Sequence, residues 1–585
     1  MRTQRTNHLI RSLTLFLAAI AGLLMAMQAN GATFIVNNTA DSGAGSMRQA
    51  ILDANANPGS DTIEFQIPGS GVHTIQPLTA LPFITEALTV NGTLPEGGPG
   101  IELNGSLSAP GPMAYGQTPG LTLSNHLGST VRGLIVNEFS HGGILILAGG
   151  SHVVAGNYIG TDATGTIARG NGSGASVFIW SGVVVANSSA NRIGGLPDNP
   201  DPADRNILSG NYFGGIEVLG FASGDPFFSP GPADNNLIVG NYMGTGVTGT
   251  EDLRNIYGVY TEVANNNEVA NNLTTHNYRN IGMIYSSENI VRDNVSEDAG
   301  NQGIILGWNC DNNYVFGNTI KDSAREGIEI FGSFENNPDF SSDFNVIEGN
   351  EVIGSSWGDL NPGGILISAG SHNIIIENVV RDGHASGIHL WAGPYETGHN
   401  IINGNIIFNN ARSGIEVTGV VGSTDPFGNL ISSNSIFLND ALGIDLTIYP
   451  PLLNDGVTAN DPLDADAGPN MLQNFPVLSS RSVWNPAQVV AKGILNSAPN
   501  TTYVIELFAS AEADSSGHGE GEQFIGSTTV TTDANGFAKF TAPTGVSNLV
   551  GDGQIAFLTA TATDSEGNTS EFSEALLIKL KGRGR

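Results

Sequence analysis

Along most of the chain, short stretches alternate apolar and polar residues with a period of two, and two phrases keep returning. One is a pair of asparagines five residues apart enclosing aliphatics: Asn236–Asn241, Asn267–Asn272, Asn289–Asn294, Asn313–Asn318, Asn345–Asn350, Asn373–Asn378, Asn400–Asn405 and Asn429–Asn434. Asn206–Asn211 reads as an earlier copy, and a half copy ends at Asn157. The other is Gly followed by alternating aliphatics, as in Gly303-Ile304-Ile305-Leu306, Gly327-Ile328-Glu329-Ile330, Gly387-Ile388-His389-Leu390 and Gly414-Ile415-Glu416-Val417. Successive asparagine pairs are 22 to 32 residues apart. Two short strands per repeat, joined by variable turns, predict a parallel β-solenoid, because one coil cannot bury its apolar face alone and stacking coils makes a continuous core. An asparagine at one place in each coil can bond its counterparts above and below, so Asn318, Asn350, Asn378 and Asn405 are expected in one vertical stack.

The ends read differently. Residues 1–32 have the pattern of a secretory signal: Arg2, Arg5 and Arg11, an apolar run from Leu13 to Met27, then Ala29, Gly31 and Ala32. That run is short for a membrane span, and no later segment is long and apolar enough. Residues 33–67 hold a strand, a capping-box helix opened by Ser46-Met47-Arg48-Gln49 with Met47, Ile51 and Leu52 on one face, and a second strand; this unit is expected to cap the solenoid. The repeat occupies 68–447, an acidic linker 448–474, and longer alternating strands with turn signals fill 475–585, which suggests an immunoglobulin-like β-sandwich.

The Gly-Ile-x-Ile and Asn-x-Ile-x-x-Asn phrases resemble the right-handed parallel β-helix repeats of the pectate-lyase-like superfamily. Ser46-Met47-Arg48-Gln49-Ala50 is similar to the "CSLREA" segment of some secreted bacterial β-helix proteins, without its cysteine. The resemblance spans roughly residues 33–450 and implies an all-β fold: a right-handed parallel β-helix followed by a sandwich. That superfamily includes lyases, hydrolases, epimerases and inert adhesins, and the pectin-hydrolase residue set is absent here.

Charge narrows the partners. With 22 Lys and Arg against 55 Asp and Glu, the formal charge is −33, which offers nothing to neutralise phosphates, so nucleic acid is not an expected partner. The chain is 40% hydrophobic and only 13% charged, too apolar for a disordered acidic protein. Its single cysteine, Cys310, excludes an internal disulfide framework, and an exported, acidic chain without cystines suggests a bacterial secreted or cell-surface protein.

Candidate chemistry lies in the x position of the Gly-Ile-x-Ile strands, which points away from the core. Read down the coils it is Leu145, Val184, Glu217, Tyr260, Ile284, Ile305, Glu329, Leu366, His389, Glu416 and Asp445. Phe331 and Trp391 follow at the next outward position, with Trp308 near by. Acids, a histidine and exposed aromatics on a flat sheet suit a polysaccharide, as substrate of a lyase or hydrolase or as ligand of a non-catalytic glycan-binding adhesin. Adjacent coils lie ~4.8 Å apart, so Glu416 and Asp445 would stand near the ~5 Å carboxylate separation of retaining glycosidases. In a hydrolase they would be the acid/base pair, with Glu329, set apart from His389 by Leu366, a further catalytic candidate or a substrate-binding residue. In a lyase His389 would be the base, with Arg325, Arg381 or Arg412 holding a uronate. The same acids on a soluble solenoid equally form a solvated face. Asp461, Asp464 and Asp466 offer oxygen ligands for Ca²⁺ between the domains.

Overall fold

The computed structural model describes residues 31–579 apart from 112, 114–115, 173–180, 222–230, 333–339, 359–362, 393–396, 421–425, 450–454, 486–487 and 546–554; nearly all of the expected signal segment lies outside the described residues. Three long parallel sheets run the length of the repeat, with 14, 13 and 12 strands. Each coil gives one short strand to each sheet in turn, so neighbours in a sheet are one coil apart in sequence. The chain is a parallel β-helix. Inward aliphatics stack in register: on the third sheet Ile304, Ile328, Ile365, Ile388, Ile415 and Ile444 form one buried row of the single core.

The asparagine pairs become two continuous ladders. Asn157, Asn206, Asn241, Asn272, Asn294, Asn318, Asn350, Asn378, Asn405 and Asn434 form one, each amide donating to the Oδ1 of the next. Asn318 shows the economy of the arrangement: its Nδ2 donates to Asn350 Oδ1 at 2.9 Å and to the Val291 carbonyl at 2.9 Å, while its backbone N donates to the same Oδ1 at 3.0 Å. The second ladder runs through Asn236, Asn267, Asn289, Asn313, Asn345, Asn373, Asn400 and Asn429 to Asn470. A third was not anticipated. Asn171, Asn211, Asn255 and Asn277 stack at a different turn, and Asn410 and Asn439 resume there. The pair Asn206–Asn211 therefore straddles the first and third ladders and is out of phase with the other copies.

Both ends of the core are covered. At the start, the helix Met47–Ala56 lays Met47, Ala50, Ile51 and Ala54 on the first coils, whereas Leu52 faces solvent. Ser46 Oγ accepts from Gln49 N at 3.2 Å, but the Gln49 side chain bonds Asp53 instead of reaching back, so only half of the capping box forms. At the far end two small antiparallel sheets, four strands each, pack around Trp484, Tyr503, Leu507, Phe540 and Leu558. This sandwich is pressed against the last coil: Ile436 N donates to Gly521 O, Ser433 N to Glu506, and Gly428 N to Asn568 Oδ1. Phe508 and Phe572 belong to the β-helix core itself. Unpaired strand groups and apolar rings of a terminal coil are what a solenoid must hide, and here the sandwich hides them.

Candidate functional site

Register fixes the outward rows of the third sheet. The x positions align as Leu145, Val184, Glu217, Tyr260, Gly282, Ile305, Glu329, Leu366, His389, Glu416 and Asp445. Gly282, not Ile284, holds the fifth place; Ile284 lies two residues on, beside Glu262 and Gly307. A Cβ at Gly282 would lie 2.8 Å from the Tyr257 ring, so the glycine makes room for that tyrosine. Outward does not mean exposed. Glu329, His389, Glu416 and Asp445 are 7, 3, 0 and 0% exposed, so the expected solvated face is a sealed one.

The acids separate into two groups with Leu366 between them. In the distal group Glu416 and Asp445 are strand partners. Glu416 Oε2 accepts from Ser386 Oγ at 2.5 Å, and its Oε1 lies 3.4 Å from Arg412 Nη2 and 3.3 Å from Thr418 Oγ1. His389 Nε2 is 2.9 Å from that same Thr418 hydroxyl. Asp445 accepts from Ser413 Oγ at 3.1 Å. Burial first, then the Glu416 and Asp455 carboxylates, pushes Asp445 up to about 7. The guanidinium thus sits on one carboxyl of the pair, and the other keeps its proton near neutrality.

The central group was only half legible in the sequence. Gln302 Nε2 donates to Glu329 at 2.7 Å, Arg279 Nε donates to Gln302 Oε1 at 2.7 Å, and Arg279 Nη1 bonds the Tyr257 hydroxyl at 2.7 Å. Arg325 pairs with the buried Glu326 at 3.2 Å. Burial and the neighbouring Glu326 carboxylate raise Glu329 well above the usual carboxylate range. Tyr257, Arg279, Gln302 and Glu326 each stand three residues before an x position, an offset that could have revealed them.

The remaining expected residues scatter. Arg381 is on the second sheet, bonded to Glu351 and Asp382, away from both groups. Trp308 stacks on Tyr285 at 6.0 Å and meets Phe331 edge-on at 5.5 Å, with Phe340 beyond Tyr285, so the two aromatics build a cluster beside the central group. Trp391 is half-buried in the row next to His389, alongside Ser368 and Thr418. Asp461, Asp464 and Asp466 converge, one oxygen from each lying within 4.8 Å of the others. Asp464 is also held by Ser497 Oγ and Asn474 N, and burial raises it to about 6. Cys310 is buried, its Sγ 3.3 and 3.2 Å from the Met283 and Gly307 carbonyls, and burial pushes the thiol up to about 12; it is no nucleophile.

A family model described as "Periplasmic copper-binding protein (NosD)" matches residues 232–360 and 339–443. The 3-dehydroshikimate dehydratase of Acinetobacter baylyi is 25% identical over 379 residues, 57% of this chain and 72% of that protein. Among solved structures, the Dettilon tailspike protein is 12% identical, covering 93% of this chain and 94% of that one, with a TM-score of 0.41. A double mutant of the periplasmic alginate epimerase AlgG is 12% identical over 65% and 78% of the two chains, TM-score 0.35. The A-module of the Azotobacter vinelandii mannuronan C-5 epimerase AlgE4 is 15% identical over 73% and 100%, TM-score 0.33. These structural likenesses concern the fold alone.

Proposed function

We propose that this chain is a carbohydrate-active β-helix protein working outside the cytoplasm on an extracellular polysaccharide, with Glu416 and Asp445 as its reacting pair. One observation carries the reading: two carboxyls in register on adjacent strands have unlike surroundings, Glu416 facing Arg412, Ser386 and Thr418 while burial and its neighbours raise Asp445 to about 7. Asp445 is then the acid that protonates a leaving glycosidic oxygen. Glu416, about one strand spacing of ~4.8 Å away, is the nucleophile or base of a retaining hydrolysis. Trp391 offers its ring to a sugar in the neighbouring row. The lyase alternative is weaker in geometry, since Arg381 is remote and Arg412 is already spent on Glu416.

A second reading, a non-catalytic glycan-binding protein, is favoured by the depth at which all four candidate residues lie. Digestion of a panel of neutral and uronic polysaccharides, read by new reducing ends and by 4,5-unsaturated absorbance, separates the readings. Reducing ends without absorbance support the hydrolase, and absorbance supports the lyase. Silence in both with retention on a glycan array supports binding alone. The copper in the matched family's description calls for imidazole or soft sulfur donors. The single thiol is sealed in the core, so imidazoles are the donors that fit; the exposed His372 and half-buried His399 stack with ring centroids 5.3 Å apart.

A further inference from the structure

Side chains as deeply buried as Glu416 and Asp445 cannot take the first hold on a long polymer; an exposed surface has to. One edge of the coils carries rings that neither the core nor the acids use. The residue after each asparagine of the third ladder stands where the chain enters the third sheet: Tyr212 follows Asn211, Ile256 follows Asn255 and Tyr278 follows Asn277. Tyr212 and Tyr278 are each 49% exposed, and the exposed Ile256 lies between them. The next coil puts Gly300 in this row, its N–H donating to Asn277 O at 2.9 Å. A Cβ on Gly300 would lie 3.6 Å from Tyr278 Cδ2, so the glycine leaves that ring uncovered. The ring is also fixed. Arg279 lies over it, 5.3 Å from the centroid, and Asn301 Nδ2 donates to its hydroxyl at 2.8 Å.

Farther along the same edge stands Trp357, 59% exposed and the most exposed tryptophan among the described residues. Its indole is held on the preceding coil: Nε1 donates to Asp322 O at 3.1 Å, Ser356 N to Arg325 O at 2.8 Å and Gly358 N to Ala324 O at 2.7 Å. Arg325 lies between Tyr278 and Trp357, its side chain 44% exposed and its Nη2 3.2 Å from Glu326. Tyr212 and Tyr278 are two coils apart, and Tyr278 and Trp357 three, so at ~4.8 Å per coil the rings stand about 10 and 14 Å apart along the axis. Trp357 precedes the strand Gly363–Ser368, and the strands of Glu416 and Asp445 are the second and third beyond it in the same sheet.

We propose that Tyr212, Tyr278 and Trp357, with the Arg325 guanidinium between the last two, form a surface track that binds a neutral polysaccharide along the helix axis. That the track leads to Glu416 and Asp445 rests on the function proposed above; that it binds sugar rests on the rings alone. Rigid aromatic faces take the C–H faces of sugar rings at little entropic cost, and a guanidinium donates to hydroxyls without needing a charged partner. The neutral class follows from charge. Arg325 is paired with Glu326, Arg254 with Asp252, and Arg279 is bonded to Gln302 and the Tyr257 hydroxyl. A polyanion would find no unpaired cation at this edge among the described residues, on a chain whose formal charge is −33.

The test titrates the full chain with soluble β-glucan, galactomannan and dextran, and with alginate as a polyanion, followed by tryptophan fluorescence and calorimetry. The expected result is saturable binding of at least one neutral polymer with a change in emission, and none of alginate. Trp357→Ala should lose most of that change and weaken binding by about tenfold, with Tyr278→Ala and Tyr212→Ala weakening it several-fold. Phe344→Ala removes a ring as exposed but on another edge of the coils, and should bind like the parent. Melting temperatures near the parental value show that the variants fold. A parent that binds none of the neutral polymers, or a Tyr278→Ala, Trp357→Ala double variant with parental affinity, overturns the track; alginate bound as tightly as the neutral polymers overturns its specificity. Glu416→Gln should bind like the parent, so a polymer that is bound through these rings but never cleaved refutes the hydrolase reading and leaves the track standing.

Discussion

Asp445 and Glu416 illustrate how one pair of like side chains can be given unlike surroundings. Both sit on neighbouring strands of one sheet, yet only Glu416 has a guanidinium at 3.4 Å. If Asp445 is the acid, turnover should fall as pH rises through about 7, where its proton leaves. Asp445→Asn should flatten that limb as it lowers the rate. Ser386→Ala, which removes the 2.5 Å bond to Glu416, should lower turnover by about tenfold with little change in melting. A pH–rate profile for the three proteins checks both expectations. The burial of these acids was not legible in the residues themselves, and the Tyr257–Arg279–Gln302–Glu329 chain left only the three-residue offset from the x positions as its sign. Strand alternation tells which way a side chain points, but not what folds over it, because covering turns carry no periodic signal.

At the scale of the repeating element, the ladders make the coils interdependent. Replacing Asn350 by Ala removes the acceptor of both Asn318 donors and should cost on the order of 1–2 kcal/mol; denaturant unfolding of the variant measures it. The ladders were legible because the five-residue spacing of asparagines repeats in eight successive copies from Asn236 to Asn434. Their phase was not, since the same spacing joins the first ladder to the third at Asn206–Asn211. The docking of the sandwich was not legible either. Asn439 N and Nδ2 donate to Glu520, and Leu446 N and Thr458 N to Glu571, contacts across 81 to 125 residues that no local pattern announces. Phe572→Ala should therefore destabilise the β-helix itself by about 3–5 kcal/mol, since that ring is 2% exposed within the solenoid core. A loss confined to a separate sandwich transition would contradict the cap.

For the whole molecule, the seam between domains concentrates buried acids. Burial raises Asp445 and Glu520 to about 7 and Glu571 to about 8. A carboxyl whose folded value exceeds its unfolded one holds its proton more tightly in the fold. The stabilisation is fully present below about pH 4 and is lost as pH rises through those folded values. The melting temperature should therefore drop between about pH 4.5 and 8, and Glu571→Gln should shrink the drop; a temperature that rises across that range would refute the assignment. If Asp461, Asp464 and Asp466 take Ca²⁺, millimolar Ca²⁺ should raise melting above that in excess chelator, and equal values would count against the site. The most direct test of the functional account is the turnover of Glu416→Gln and Asp445→Asn, each folded, on a polysaccharide that the parent cleaves. The account predicts a fall in kcat of at least ~100-fold for each with near-parental melting. Near-parental turnover in either variant would place the chemistry elsewhere on the helix.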